Sequence, residues 1–184
     1  MSASRLIARG SPDALRRAPA ERFDAIDLAW EQEQESAARM FLGGASETAA
    51  RHWQRALAIA REHFDGFDPR LATSLTNCGR VCRRAGDRYQ SDLYFREALL
   101  VWDGGWRWIA LMSPPGQPDR CYDEAAQAQF NALLERGRAL TAAIERDDRL
   151  PSWGLARWLV ERPSRPCDLR KLLAAVLLIA SRRD

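Results

Sequence analysis

The chain has 184 residues and a formal net charge of +3, with 46% hydrophobic and 29% charged residues. This composition is typical of a folded globular protein and excludes a disordered chain. The longest apolar run, residues 172–180, is too short to span a bilayer, and four cysteines are too few for a disulfide scaffold, which favours a reducing, cytoplasmic location.

Residue usage predicts an all-α protein. Ala, Leu, Arg and Glu dominate while Val, Ile and Thr are few, so helix propensity exceeds strand propensity along most of the chain. Charge is uneven, because residues 21–50 carry seven acids and two arginines whereas residues 149–184 carry eight bases and three acids. This asymmetry favours self-association or a polar partner, but it falls short of the clustered basicity of a dedicated nucleic-acid binder.

In chain order, residues 1–20 lack the apolar core of a secretory signal and are expected to form a flexible arm. A helical repeat is expected over residues 21–148, because HWQRALAIA at 52–60 returns as YFREALLVW at 94–102, an offset of 42 residues. At this offset small residues meet small ones and large apolar residues meet large ones. Two copies of one packed helix pair require that match.

The second copy carries small and large residues in a fixed order, which is Leu75, Cys78, Gly79, Cys82, Gly86, Ser91, Phe95 and Ala98. This order resembles the signature of a tetratricopeptide repeat. The phrase DPRLATSLTNCG at 68–79, together with the long offset, resembles the kinesin light chain-like type of that repeat. The resemblance covers residues 30–103 and implies a short α-solenoid of helix-turn-helix repeats.

The repeat pattern fades after the second copy. Three prolines within residues 102–119 predict a break in the helix, because proline cannot continue the hydrogen-bond ladder. Three tryptophans lie in the same segment, namely Trp102, Trp106 and Trp108. We expect them to seal the end of the helical stack, and the alternative is a base-stacking surface or an interface hot spot.

The remaining chain also reads as helical. The pattern at 122–146 is interpreted as a degenerate third unit of the repeat region. Residues 149–184 are expected to form a C-terminal helical cap, with short helices at 152–161 and 168–182 separated by the prolines of RPSRP.

Catalytic and metal-binding signals are sparse. Cys78 and Cys82 are four residues apart and share one helix face, but Cys121 and Cys167 are distant and form no CxxC pair with them. The repeat register places Cys78 and Cys82 in the core, with a metal or redox site as the alternative. No Gly-rich phosphate loop, HExxH or GxSxG is present. We therefore expect no enzyme, no metal and no cofactor.

The resemblance also implies a binding groove on the exposed, inner side of the first helix of each repeat. The spacing of Arg80, Arg83 and Arg84 places their guanidinium groups on one strip, which predicts a partner with acidic residues; the alternative is an ordinary solvated face. The inner positions of the second repeat also include Thr76, and the predicted partner-binding residues of both repeats are Gln34, Phe41, Leu42, Thr73, Asn77, Arg80, Arg83 and Arg84.

These features predict a non-enzymatic protein-protein interaction module, an adaptor or assembly factor that holds a partner segment in its groove, with no membrane partner. A homodimer is compatible with the charge asymmetry. The alternative is a nucleic-acid-binding or regulatory protein that uses basic C-terminal residues, namely Arg157, Arg162, Arg165, Arg170, Lys171, Arg182 and Arg183. Residues 166–184 also form a basic, apolar helical pattern that fits an acidic and apolar groove in the same chain or in a twin.

Overall fold

The computed structural model describes residues 24–112, 124–148 and 167–179. Every regular element in these ranges is an α-helix, so the all-α prediction is confirmed for them. In chain order the helices are α1 Ala25–Leu42, α2 Ser46–His63, α3 Pro69–Arg84, α4 Arg88–Met112, α5 Glu124–Arg146 and α6 Cys167–Leu177. The predicted arm at 1–20 and the predicted helix at 152–161 lie outside the described residues.

Helices α1 and α3 begin and end at residues suited to those positions. Asp24 caps α1 by accepting a hydrogen bond from the Asp27 amide at 2.8 Å, and Asp68 caps α3 through the Arg70 amide at 2.9 Å. The turns that follow these helices contain Gly44 and Gly86, whose φ angles are +84° and +86°. Residues other than glycine rarely adopt this backbone conformation. The two copies therefore share one turn geometry.

The two helix pairs bury equivalent residues. Helix α1 packs on α2 and α3 packs on α4, while α2 also packs on α3. Trp53 of α2 and Phe95 of α4, which correspond at the offset of 42 residues, are both fully buried. Gly79 allows α3 to approach α4 closely, since a Cβ at this position would lie 3.2 Å from the Phe95 ring of α4. The predicted match is thus seen for Trp53 and Phe95, whereas Met40, which the same offset pairs with Cys82, is 39% exposed.

Helix α4 continues well into the segment where a break is predicted. It passes through Gly104 and Gly105 to Met112, and the prolines that predict the break lie outside the described residues. The glycines are needed for close packing: a Cβ on Gly104 would lie 2.3 Å from the Phe67 ring, and one on Gly105 would lie 2.5 Å from Leu134.

The tryptophans of α4 differ in burial. Trp102 and Trp108 are buried, as expected for residues that seal the stack, but the Trp106 side chain is 57% exposed, so the sealing prediction is wrong for it. Helix α5 packs on α4 over Trp102, where Gly137 leaves room for the indole ring. The Trp102 Nε1 donates to the Thr141 hydroxyl of α5 at 3.0 Å.

Helix α6 packs on α3 and α5. It begins at Cys167 and ends at Leu177, five residues before the predicted end at 182, and Leu178 and Ile179 follow in a turn and a bend. None of the helices in the described ranges is long and apolar enough to cross a membrane.

Candidate functional site

Helices α1 and α3 lie side by side in the same direction and present a row of polar side chains. The pairs Asp27 with Arg70 and Gln34 with Asn77 both join residues 43 apart, close to the repeat offset. Helix α6 covers this row. We call the surface that carries Asp27, Gln34, Arg70, Thr73 and Asn77 the inner groove.

The exposure predicted for four polar residues of α1 and α3 is wrong. Gln34, Thr73, Thr76 and Asn77 are all fully buried. The physical reason is that α6 covers the face of α3 that the repeat pattern predicts to be exposed to solvent. Helix α6 lies about 100 residues away in the sequence, so the local pattern does not contain this contact. Thr76 instead forms a hydrogen bond with the Thr141 hydroxyl of α5 at 2.9 Å.

Two side chains of α3 donate hydrogen bonds to the backbone of α6. The Thr73 hydroxyl donates to the Ala175 carbonyl oxygen at 2.7 Å, and Asn77 Nδ2 donates to the Leu178 carbonyl oxygen at 2.9 Å. Carbonyls in the last turn of a helix lack partners within the helix, so such donors stabilise a helix end. The order of these contacts also shows that α6 runs in the same direction as α3.

A buried network fixes the orientation of the Asn77 amide. Asn77 Nδ2 also donates to Gln34 Oε1 at 2.9 Å, and Gln34 Nε2 donates to the Ser74 hydroxyl at 2.9 Å. The Trp30 indole donates to the same Ser74 oxygen at 2.9 Å, and that hydroxyl donates to the Arg70 carbonyl at 3.0 Å. A fully bonded polar network of this kind holds its members in one arrangement.

A buried ionic cluster lies at the other end of the inner groove. Arg70 binds Asp68 through Nε at 3.0 Å and Nη2 at 2.6 Å, and it binds Asp27 through Nη1. Lys171 of α6 approaches Asp27 Oδ2 at 2.9 Å. The Arg70 guanidinium also stacks on Phe64, 3.6 Å from its ring centroid. The cluster contains two carboxylates and two cations, so its formal charge is zero.

The surroundings of Asp27 and Glu31 on α1 shift the pKa values of these two acids. Burial alone would raise the pKa of Asp27, yet the hydrogen bonds and charges of Lys171 and Arg70 hold this pKa below its ordinary value. Burial raises the pKa of the neighbouring Glu31, although the charge of Arg170 on α6 opposes that shift. The acidic side of α1 therefore faces basic residues of α6.

The three predicted arginines do not form one strip. Arg80 and Arg84 lie over the Phe41 ring, at 4.9 and 4.7 Å from its centroid. Arg83 turns toward α4, where it stacks on Phe95 and its Nη2 lies 3.0 Å from Asp92 Oδ1. The reason is helix geometry, since residues four apart share a face more closely than adjacent residues do.

The apolar residues beside these arginines also differ from each other. Phe41 is only 5% exposed, because it packs against Trp53 at a centroid distance of 5.1 Å and carries the two guanidinium groups above it. Leu42, in contrast, is 60% exposed. The binding roles of both residues and of the arginines stay predictions.

The core position predicted for the cysteines is observed for Cys78. Its side chain is buried, and burial raises the pKa of its thiol to about 12, which keeps it protonated at neutral pH. Cys82 is half-buried, and burial also raises its pKa. Within the described ranges no three His, Cys, Asp or Glu side chains cluster as metal ligands. Cys121 and the Cys167 side chain lie outside the described residues.

Sequence reasoning missed the ionic cluster. One signal was present, because Lys171 is the only lysine in the chain and lies in the basic helix that fits an acidic groove. The DPR phrase at 68–70 gives a second signal, since an acid at the helix start is followed by Arg70. No feature of the sequence connects these residues to Asp27.

Comparison with known proteins adds no relative. No protein-family model matches the chain, and neither a curated protein nor a solved structure matches it with significant similarity. The inner groove and the helix that lies in it are therefore the basis for a functional proposal.

Proposed function

We propose that this chain is a non-enzymatic protein-interaction module, a tetratricopeptide-like α-solenoid that acts as an adaptor or assembly factor. Its inner groove would hold a helical segment of a partner protein. The observation that carries the proposal is the pair of donors on α3, Thr73 and Asn77, which bond to backbone carbonyls of a helix lying in the groove. Donors of this kind recognise a helix end whatever its side chains are.

The packing of α6 supports a helix-in-groove mode of recognition. Leu169, Leu172 and Val176 are at most 2% exposed and follow one another at intervals of three and four residues. Amphipathic helices that bind grooves use anchors at this spacing. The same surface combines apolar contacts with fixed donors, which suits a specific partner segment.

The charge at the far end of the groove also suits a helix. Arg80 and Arg84 follow Asn77 on α3 by about one and two turns, beyond the C-terminal end of α6. Cations near a helix C-terminus interact favourably with the helix dipole. Acidic residues of a partner that follow its bound helix would meet these arginines.

The nucleic-acid alternative receives less support from the described residues. Lys171 is paired with Asp27, and the charge of Arg170 acts on Glu31. Both basic residues thus face an acidic surface of the same chain. The other basic residues in that prediction lie outside the described ranges; they are Arg157, Arg162, Arg165, Arg182 and Arg183.

The test is whether the inner groove binds a helix supplied in trans. The full-length variant Leu172→Asp with Val176→Asp removes the apolar anchors of α6 and so opens the groove. A fluorescently labelled peptide of residues 163–181 should bind this variant and raise its own helicity. Adding Thr73→Val should weaken binding about 5- to 10-fold, because one hydrogen bond is worth roughly 1 kcal/mol. A folded variant that does not bind the peptide contradicts the proposal.

A further inference from the structure

Removing α6 leaves an unbalanced charge in the inner groove. With α6 in place, Asp27 is bound by Arg70 and by Lys171. Without it, the carboxylates of Asp27 and Asp68 share the Arg70 guanidinium as their one cation among the residues that the structure describes. A buried site with one uncompensated negative charge strongly favours a cation. The occupant of the groove therefore needs a basic residue at the position of Lys171.

The groove also fixes where the occupant helix ends. Lys171 lies at the Asp27 end, whereas the Leu178 carbonyl, just past the last turn of α6, accepts from Asn77. A bound helix must place a basic residue at one end and free carbonyls at the other. These two requirements set its direction and a length of about two turns between them.

The apolar contacts define a third requirement. The buried residues of α6 form one stripe, whereas Leu177 on the opposite side is 50% exposed. Ala175 is fully buried, and its carbonyl oxygen accepts the hydrogen bond from Thr73. A bound helix therefore needs a small side chain at this position. The stripe that a competing helix must reproduce consists of Leu169, Leu172, Ala175 and Val176; the buried Ile179 follows past the helix end.

We infer that α6 is an intramolecular competitor for the partner, and that the partner segment is an amphipathic helix with the chemistry of α6. That chemistry is an aliphatic stripe, a small residue near the helix end and a basic residue that pairs with Asp27. The inference rests on the proposed function of the inner groove. The groove is closed while α6 occupies it, and a partner binds by replacing α6.

The experiment compares the peptide of residues 163–181 on two full-length proteins, the wild type and the variant with Leu172→Asp and Val176→Asp. Apparent affinity falls in proportion to the fraction of molecules with an open groove, so we expect binding to the wild type to be weaker by on the order of 100-fold. Equal affinity for both proteins would overturn the competition but leave the groove function intact. Binding to neither would overturn both.

Two further variants keep the test decisive if that variant does not fold. Lys171→Glu in the full-length chain keeps the apolar contacts of α6 and should increase peptide affinity about 10-fold over the wild type, by raising the open fraction. The Lys171→Glu protein is then tested with two variant peptides. The Leu172→Ala peptide should not bind it, because Leu172 is buried in the groove, whereas the Leu177→Ala peptide should still bind, because Leu177 is exposed. The inference would be contradicted if Lys171→Glu left the affinity for the peptide unchanged, or if the two peptide substitutions weakened binding equally.

The same samples distinguish a second copy of this chain as the occupant. Light scattering of the wild type over a range of concentrations should show a monomer, since α6 fills the groove of its own chain. A concentration-dependent dimer that is lost in the variant with Leu172→Asp and Val176→Asp would assign the groove to a second copy of the chain and overturn the inference of a partner helix.

Discussion

Replacing Arg70 with methionine tests the buried ionic cluster. The side chains of Arg70, Asp27 and Asp68 are only 5%, 4% and 2% exposed. Methionine fills similar space but removes the cation, which leaves two buried carboxylates with Lys171 alone. Removing one partner of a buried ion pair costs roughly 3–5 kcal/mol, because the remaining charge is desolvated and unpaired. We therefore expect Arg70→Met to lower the free energy of unfolding by about this amount.

Urea unfolding at neutral pH, followed by circular dichroism, measures the change as a shift in midpoint at constant slope. Arg51→Met is the matched control, because the Arg51–Glu47 pair is 60% and 90% exposed and its loss should cost less than about 0.5 kcal/mol.

A double variant that adds Asp68→Asn to Arg70→Met should recover part of the loss, because asparagine removes the unpaired charge, leaves Asp27 paired with Lys171 and still caps α3. If Arg70→Met costs no more than Arg51→Met, the cluster is not desolvated and the reasoning fails.

Three other predictions concern the packing of Gly137, the burial of Cys78 and the pKa of Asp27. Gly137→Ala should lower the unfolding free energy by roughly 1–3 kcal/mol, since its Cβ would lie 2.3 Å from the Trp102 ring, whereas Gly66→Ala meets no atom within 4 Å; thermal unfolding of both variants checks this contrast. The Cys78 thiol should stay unlabelled by iodoacetamide at pH 8 in the native chain and react once the chain unfolds, because its pKa is about 12; rapid native labelling would contradict its burial. Asp27 has a lowered pKa in the folded state, so its stabilising contribution is present above the unfolded value, roughly 4, and is lost as pH falls through the folded value. The stability difference between wild type and Asp27→Asn should therefore shrink on acidification from pH 5 to pH 2, and an unchanged difference would contradict the assignment.

The helices and the internal match between the two pairs were predictable from local sequence. Helix propensity and capping residues act over a few positions, as at Asp68, and the repeated small and large residues encode the packing of neighbouring helices. The burial of Trp53 and Phe95 and the shared turns at Gly44 and Gly86 follow from this local information.

The environment of the inner groove was not predictable in the same way. Thr73 and Asn77 are polar residues on a helix face that local sequence assigns to solvent. Their burial depends on contacts with α6 that span 102 and 101 residues. The direction of Arg83 likewise depends on Phe95 and Asp92 of the next helix. The helix pairs depend on residues that are close in the sequence, whereas the covering of the groove by α6 depends on contacts between distant parts of the chain.

Native-state hydrogen exchange of the α6 amides tests most directly whether the inner groove holds this helix. In the wild type we expect the amides of residues 172–178 to be strongly protected. Thr73→Val and Lys171→Glu should each lower that protection while the amides of α2 and α4 keep theirs. Amides of α6 that exchange in the wild type as fast as those of an unstructured peptide would contradict the account.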